Sequence, residues 1–130
     1  YRAGFESDRW RLMLLDRSTG RSRALTENLD LNVNGVSWSP DSKRLFFVAE
    51  DRGRANIHTV PITGGGSKPV VSGSSHMDDP QFTSDGRAMI YAENSGSSPN
   101  ELYRASSAGG TPLPLTRLND ALLGPYHLPK

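Results

Sequence analysis

The chain has 130 residues, with 15 lysines and arginines against 14 aspartates and glutamates, a net charge of +1 and no cysteine. This length fits one small domain, and the interspersed charges lack the clustered cations that bind nucleic acid or an anionic membrane surface. The absence of cysteine excludes disulfides, zinc–thiolate sites and thiol catalysis, and it leaves the compartment open.

The apolar runs are short, and none approaches the roughly 18 residues of a membrane-spanning helix. Residues 1–10 include Glu6, Asp8 and Arg9, contain no apolar core and lack an initiator methionine. They do not resemble a signal peptide. We therefore expect a fragment of a longer protein, without a transmembrane helix.

A ten-residue motif occurs twice at a spacing of 44 positions. WSPDSKRLFF at 38–47 aligns without a gap with FTSDGRAMIY at 82–91. At a spacing of 45, IHTV at 57–60 matches LYRA at 102–105, and LMLL at 12–15 precedes IHTV by the same interval. A period of about 40 to 45 residues with four strands per unit is typical of a β-propeller blade.

Glycine and proline punctuate the chain, and the apolar runs between them are rich in Val, Ile, Phe and Tyr, which predicts short strands. In chain order, each complete unit is predicted to contain four strands. Strand A ends at Trp38 or Phe82, strand B covers 44–49 or 87–93, strand C covers 55–61 or 101–106, and strand D lies around 69–72 or 112–116.

The predicted fold class is all-β, a fragment of a β-propeller with about two complete four-stranded antiparallel blades plus a partial one. Residues 1–30 would hold the last strands of a partial blade, 31–75 and 76–120 would be complete blades, and 121–130 a tail leading toward the next domain. Closed propellers have about 4 to 8 blades. The ring therefore cannot close within the chain, and its open edges predict self-association.

The repeated turn predicts structural roles for four side chains. Asp41 and Asp85 occupy the same turn position, where a carboxylate caps the turn. Trp38 and Phe82 are predicted to pack between blades, so that Trp38→Ala would cost about 3 to 5 kcal/mol.

The repeat resembles that of TolB-type proteins and of the N-terminal propeller of the prolyl oligopeptidase family of serine peptidases. WSPDSK at 38–43, FTSDGR at 82–87, IHTV at 57–60 and ELYR at 101–104 carry the resemblance. Segments 51–57, 98–104 and 115–123 resemble dipeptidyl-peptidase-like and acylaminoacyl-peptidase-like members, in which an α/β-hydrolase domain follows. The resemblance implies a full-length serine peptidase whose propeller covers the active site and filters peptide substrates by size.

Under this resemblance, the fragment is a non-catalytic part of the cover, and the catalytic triad lies after Lys130. The alternative is a TolB-like scaffold propeller that binds protein partners without enzymatic activity, and a third possibility is a propeller hydrolase or lyase with a site in its central channel. Relatives of dipeptidyl-peptidase IV hold the substrate amine with a Glu-Glu pair. This chain has no adjacent glutamates, so that dipeptidase specificity is not assigned.

No G-x-S-x-G elbow, the motif of an α/β-hydrolase nucleophile, is present. The nearest segment, GRSRA at 20–24, places Ser22 in a predicted turn between strands. GGGSK at 64–68 lacks the spacing of a phosphate-binding loop and a following helix, which favours a turn. Arg52 and Arg54 are interpreted as solvated loop charges, the alternative being contact with a substrate carboxylate or the hydrolase domain.

The histidines complete the candidate chemistry. His76, Met77, Asp78 and Asp79 include metal-ligand and acid–base types, but adjacent residues of an extended segment point to opposite sides, which favours a polar connecting loop. His58 is predicted to be a half-buried structural residue of strand C, and His127 an exposed residue of the tail. We therefore expect no catalytic, cofactor-binding or metal-binding residue and no cofactor.

Overall fold

The computed structural model describes residues 4–5, 7–126 and 128 of the chain. The described part folds almost entirely into strands. In chain order the elements are β1 (Met13–Leu15), β2 (Ser22–Ala24), β3 (Val33–Trp38), β4 (Arg44–Asp51), β5 (Arg54–Pro61), β6 (Lys68–Val71), β7 (His76–Phe82), β8 (Ala88–Ser95), β9 (Ser98–Ser106), β10 (Leu113–Pro114) and α1 (Asp120–Leu123). The all-β prediction is confirmed, and no described helix has the length and apolarity needed to cross a membrane.

Two four-stranded antiparallel sheets and a separate strand pair form the architecture. β3, β4, β5 and β6 lie side by side as the first sheet, and β7, β8, β9 and β10 form the second sheet in the same order. β1 and β2 form the leading pair. A parallel contact between Ala55 and His76 joins β5 to β7. The four-stranded unit predicted from the repeat is thus present twice.

The turn between the first two strands of each sheet has the same hydrogen bonds in both copies. Ser39 Oγ donates to Asp41 Oδ1 at 2.6 Å, and the backbone N–H two residues after the aspartate donates to the same oxygen at 3.1 Å. Thr83 Oγ1 and the corresponding N–H bond Asp85 Oδ1 at 2.6 and 3.0 Å. Each carboxylate thus holds its turn closed, which is a structural task.

Two hydrophobic cores fill the gaps between neighbouring layers. The leading core, between the leading pair and the first sheet, contains Leu12, Leu25, Leu45, Phe47, Ala49 and Val60. The central core, between the two sheets, contains Phe46, Ile57, Val71, Met77, Met89, Tyr91 and Ala105. The first sheet is therefore covered on both faces.

β4 shows why its sequence is an unbroken apolar run. Phe47 lies in the leading core and Phe46 lies in the central core, because alternate residues of a strand face opposite sides of the sheet. Both side chains are fully buried. A strand that is covered on both faces has no position left for a polar side chain.

The two sheets meet mainly through β7, which packs across the first sheet. The rings of Phe46 and Phe82 meet edge to face, with centroids 4.7 Å apart and an interplanar angle of 67°. Ser37 Oγ donates to the carbonyl oxygen of Pro80 at 2.8 Å. The predicted packing of Phe82 between repeat units is therefore confirmed.

The corresponding prediction for Trp38 is wrong, because its side chain is 50% exposed. Phe82 is covered by Phe46, which lies 36 positions earlier in the chain. The same spacing from Trp38 leads to position 2, outside the described residues. That position holds Arg2, so the residue equivalent to Phe46 is not aromatic in this unit.

Three segments differ locally from the prediction. β9 begins at Ser98, three residues before the predicted strand C at 101–106, and Asn94 Nδ2 donates to Asn100 Oδ1 at 2.7 Å across this hairpin. The predicted connecting loop at 76–79 is the first half of β7, paired with β8. The tail contains the four-residue helix α1, which the strand-like repeat did not predict.

Candidate functional site

β3 and β7 lie next to each other, and both carry a bulge at the same position of the repeat. The pairing register shifts between residues 34 and 37 in β3 and between residues 78 and 81 in β7. Within these bulges, Gly35 and Asp79 have positive φ angles of 53° and 50°. Bulges redirect side chains. The bulges of β3 and β7 both direct polar side chains toward solvent.

The bulge surface consists of four exposed polar residues, Asn34, Asp78, Asp79 and Gln81. Gln81 Nε2 donates to Asp79 Oδ1 at 2.8 Å, and the backbone N–H of Asp79 donates to Asp78 Oδ1 at 2.8 Å. These bonds leave carboxylate lone pairs free for N–H donors or a cationic amine. Chemically, the surface offers carboxylate acceptors and side-chain amides, and none of its four side chains is a hydroxyl, a thiol or an amine.

His76 and Met77 do not join Asp78 in a metal site. His76 is half-buried and Met77 is buried in the central core, whereas Asp78 is exposed. Among the residues that the structure describes, no group of three or more histidines, aspartates and glutamates converges on one point. The alternation of side chains along β7 turns Met77 into the core, away from Asp78.

The two turn aspartates border one small cleft of about 120 Å³, together with Arg44 and Phe82. The Thr83 hydroxyl and the backbone N–H of Arg87 lower the pKa of Asp85. The hydroxyl of Ser39, the equivalent residue of the first turn, lowers the pKa of Asp41 in the same way. Both groups stay ionised as turn acceptors rather than serving as proton donors.

The other candidates lie apart from the bulge surface. Ser22 is the first residue of β2, exposed and paired with Leu15, rather than a turn residue. The glycines of GGGSK form the turn between β5 and β6, as predicted, with positive φ at all three. Arg52 occupies the tight turn between β4 and β5, with 91% of its side chain exposed and Nε 3.7 Å from Asp51 Oδ1.

Arg54 is exposed in β5, as expected of a solvated charge. His127 lies outside the described residues. Among the described residues, the structure brings Asp78 and Asp79 together at the bulge surface and Asp41 and Asp85 at one cleft, and Ser22 and Arg52 belong to neither.

No model of a protein family matches the chain. Dipeptidyl-peptidase 5 of Porphyromonas gingivalis is 30% identical over 122 residues, which is 94% of this chain and 18% of that protein. The chain thus spans under a fifth of the length of this curated relative.

Solved structures share the arrangement of the sheets. Acylaminoacyl peptidase of Pyrococcus horikoshii matches 93% of this chain and 18% of its own, with a TM-score of 0.73 and 16% identity. The β-propeller domain of the Trilobed protease from Pyrococcus furiosus matches 85% of this chain and 32% of its own, with a TM-score of 0.67 and 17% identity. TolB from Acinetobacter baumannii matches 88% of this chain and 28% of its own, with a TM-score of 0.64 and 28% identity.

The chain is a β-propeller fragment. The resemblance predicted from the repeat is confirmed, including its likeness to TolB. The two sheets of the propeller fragment are blades, and the bulge surface lies on the first strand of each.

Sequence reasoning missed a buried carboxylate in the propeller fragment. Glu101 is only 7% exposed, and it accepts hydrogen bonds from the hydroxyl of Thr116 and from the backbone N and side-chain Nδ2 of Asn119, both at 3.0 Å. The Thr116 hydroxyl, followed by the backbone N–H of Leu118, lowers the pKa of Glu101 to about 2. Glu101 lines a cleft of about 570 Å³ between the β8–β9 hairpin and α1.

The repeat contains a signal that could have found this residue. Asn56 lies 45 positions before Glu101, and its Oδ1 accepts the backbone N–H of Gly73 at 3.0 Å. Gly73 in turn lies 45 positions before Leu118. In each sheet of the propeller fragment, a polar side chain on the third strand thus accepts a hydrogen bond from the loop that follows the fourth strand.

Two buried polar atoms lack hydrogen-bond partners among the described residues, His58 Nδ1 and Tyr91 Oη. His58 stacks on Phe47 with ring centroids 5.6 Å apart, and burial lowers its pKa. Burial, followed by the negative charge of Glu93, raises the pKa of the Tyr91 phenol. Both groups are neutral packing elements of the propeller fragment, in agreement with the structural role predicted for His58.

Proposed function

We propose that the chain is a non-catalytic part of the propeller of a longer serine peptidase. There it restricts the access of peptide substrates and supports a C-terminal α/β-hydrolase domain. The observation that carries the proposal is the 30% identity to dipeptidyl-peptidase 5 over 94% of the chain. The peptidases among the matching structures support the same assignment at the level of the fold.

The organisation of the fragment follows from its repeat. We propose a partial blade at 1–30, complete blades at 31–75 and 76–120, and a segment at 121–130 that leads toward the rest of the protein. The catalytic triad lies elsewhere in the parent enzyme, and we assign no catalytic, cofactor-binding or metal-binding residue to this chain. The partners of this chain are then the missing blades, the hydrolase domain and the peptide substrate.

The bulge surface is the part of this fragment that we assign to the control of access. In a radial arrangement of blades, the first strands line the central channel. Asp78, Asp79 and Gln81 then present acceptor oxygens and an amide along the path of a peptide. Their contribution is to bind and orient the substrate through hydrogen bonds.

The proposal can be tested with the variant Gln81→Trp of the full-length gene product, in which the larger side chain narrows the central channel. Lys43→Trp, at an exposed position of the first repeated turn, is the matched control. Access control predicts that Gln81→Trp lowers kcat/KM for a ten-residue peptide by about tenfold or more, while that for a dipeptide ester stays within about twofold, since a 1.4 kcal/mol barrier is a factor of ten. Equal effects on both substrates, or equal effects of both variants, would contradict it.

A TolB-like scaffold is the second candidate function, and the 28% identity to TolB from Acinetobacter baumannii favours it. In this case the faces of the sheets bind protein partners and no hydrolase domain is attached. Immobilised full-length protein would then retain a defined partner from the lysate of its own organism, and the protein would hydrolyse neither test substrate.

Self-association through open edges is proposed for the isolated fragment. The last strand of the second sheet carries Leu113, which is 58% exposed, and Leu115 follows it at 49%. Unpaired edge strands are templates for a second copy. Light scattering of the 130-residue chain is expected to show dimers or larger species, and a strictly monomeric chain at millimolar concentration would disprove this proposal.

A further inference from the structure

The second sheet has one apolar face that no described residue covers. Ile90 and Ala92 on β8 correspond to Phe46 and Val48 on β4, 44 positions earlier. Phe46 and Val48 are buried, whereas Ile90 and Ala92 are only half-buried. The apolar side chains are present in both sheets, but within the described part of the chain a following layer buries them in the first sheet and not in the second.

The third strand of each unit shows the same difference. Leu12, Ile57 and Leu102 follow one another at intervals of 45 residues. Leu12 is 9% exposed and Ile57 is fully buried, because the first and second sheets cover them, but Leu102 is 42% exposed. We call Ile90, Ala92 and Leu102 the open face of the second sheet.

In the first sheet, the strand that covers the equivalent face is β7, through Met77. The chain contains a segment that matches β7 at the interval of 45 residues. Leu122 corresponds to Met77, Gly124 to Asp79 and Pro125 to Pro80. The match places glycine at a position where both earlier copies adopt positive φ, at Gly35 and Asp79.

In the structure this segment forms α1, which has little to hold it in that conformation. α1 spans four residues, its N-cap Asn119 makes no side-chain capping bond, and none of its residues is buried. Leu122 is 70% exposed. A single helical turn without a packed face is not stable by itself.

The connection before the segment is the one that leads into β7 in the first sheet. Glu101 accepts the backbone N–H of Asn119, and the equivalent Asn56 accepts the backbone N–H of Gly73 three residues before β7. The chain therefore leaves the second sheet with the same fastening with which it leaves the first.

From these observations we propose that residues 121–126 are the first strand of a further blade, and that this strand packs on the open face. Leu122 then enters a third core together with Ile90 and Leu102, as Met77 enters the central core. α1 is the conformation of the segment when the rest of that blade is absent. The inference rests on the proposed function to the extent that it requires a longer propeller.

The test uses single cysteine variants of the full-length gene product, Leu122→Cys and Leu123→Cys. Their labelling by a small maleimide is followed by mass spectrometry of the peptide that contains them. In the strand, position 122 faces the core and position 123 faces solvent, as Met77 and Asp78 do. We expect Leu122→Cys to react about tenfold or more slowly than Leu123→Cys, because labelling of a buried thiol requires local opening.

The helical turn predicts the reverse order, because Leu123 is half-buried there and Leu122 is exposed. Equal fast labelling, or slower labelling at position 123, would overturn the proposal. Labelling of an active-site serine by a fluorophosphonate probe in the same preparation tests the proposed peptidase separately from the proposed further blade. If position 122 is protected and no serine reacts, the further blade is supported and the peptidase function is contradicted. If position 122 is exposed and a serine reacts, the peptidase function is supported and the further blade is contradicted.

Discussion

Phe82 meets Phe46 edge to face at 4.7 Å, and this contact joins two repeat units that are 44 residues apart in the chain. The guanidinium of Arg44 lies 5.5 Å from the centroid of the Phe46 ring. Phe46 is fully buried at this junction, whereas Trp38, at the position equivalent to Phe82, is half exposed. The contribution of this aromatic residue to stability therefore depends on whether a neighbouring repeat unit covers it.

Phe46→Ala is expected to destabilise the 130-residue chain by about 3 to 5 kcal/mol, because it leaves a cavity in the central core. Trp38→Ala is the matched control and is expected to cost less than about 1 kcal/mol, as for other exposed positions. Urea unfolding followed by circular dichroism measures both values. Comparable losses for the two variants would show that Trp38 is covered in solution.

Glu101 is expected to make stability depend on pH in the acid range. Its pKa is about 2 in the folded chain against 4.5 for an unperturbed glutamate, so its stabilising effect is full above pH 4.5 and is lost as the pH falls toward 2. In the variant Glu101→Gln, the urea midpoint of unfolding should depend less on pH over this range. Glu50→Gln, at an exposed position of β4, should leave the pH dependence of the midpoint unchanged. Parallel pH profiles for the wild type and Glu101→Gln would argue against the hydrogen-bonded carboxylate.

His58 is expected to act on stability at higher pH. Burial lowers its pKa below 6.5, so that the unfolded chain takes up the proton first and stability falls as the pH drops below 6.5. His58→Phe removes this dependence and an unpartnered buried nitrogen, and it should stabilise the chain by about 1 kcal/mol at pH 6. An imidazole pKa at or above 6.5 by NMR titration would refute the burial of this ring.

Gly109 is expected to tolerate no side chain. Its φ is +101°, and a Cβ there would lie 3.1 Å from the carbonyl oxygen of Val70 in the neighbouring sheet. Gly109→Ala should therefore destabilise the chain by more than about 1 kcal/mol. Gly96→Ala, in open space at the tip of the β8–β9 hairpin, should have almost no effect on stability. Thermal unfolding measures both variants, and equal shifts of their midpoints would contradict the close contact at Gly109.

The sequence predicted the strands well because their turns are determined locally. The Ser39–Asp41 and Thr83–Asp85 bonds close each turn within six residues, and the alternation of apolar residues follows from the sheet. The exposure of Trp38 could not be predicted in this way, because burial depends on a neighbouring layer. The role of Glu101 was also missed, since its partners lie 15 to 18 residues later in the chain.

The most direct test of the central claim is the reaction of the full-length gene product with a fluorophosphonate probe, followed by mapping of the labelled peptide. We predict a labelled serine outside residues 1–130 and no labelling of the 130-residue chain by itself. A labelled serine within the chain, Ser22 included, would contradict its non-catalytic role, and an unreactive full-length protein would contradict its place in a serine peptidase.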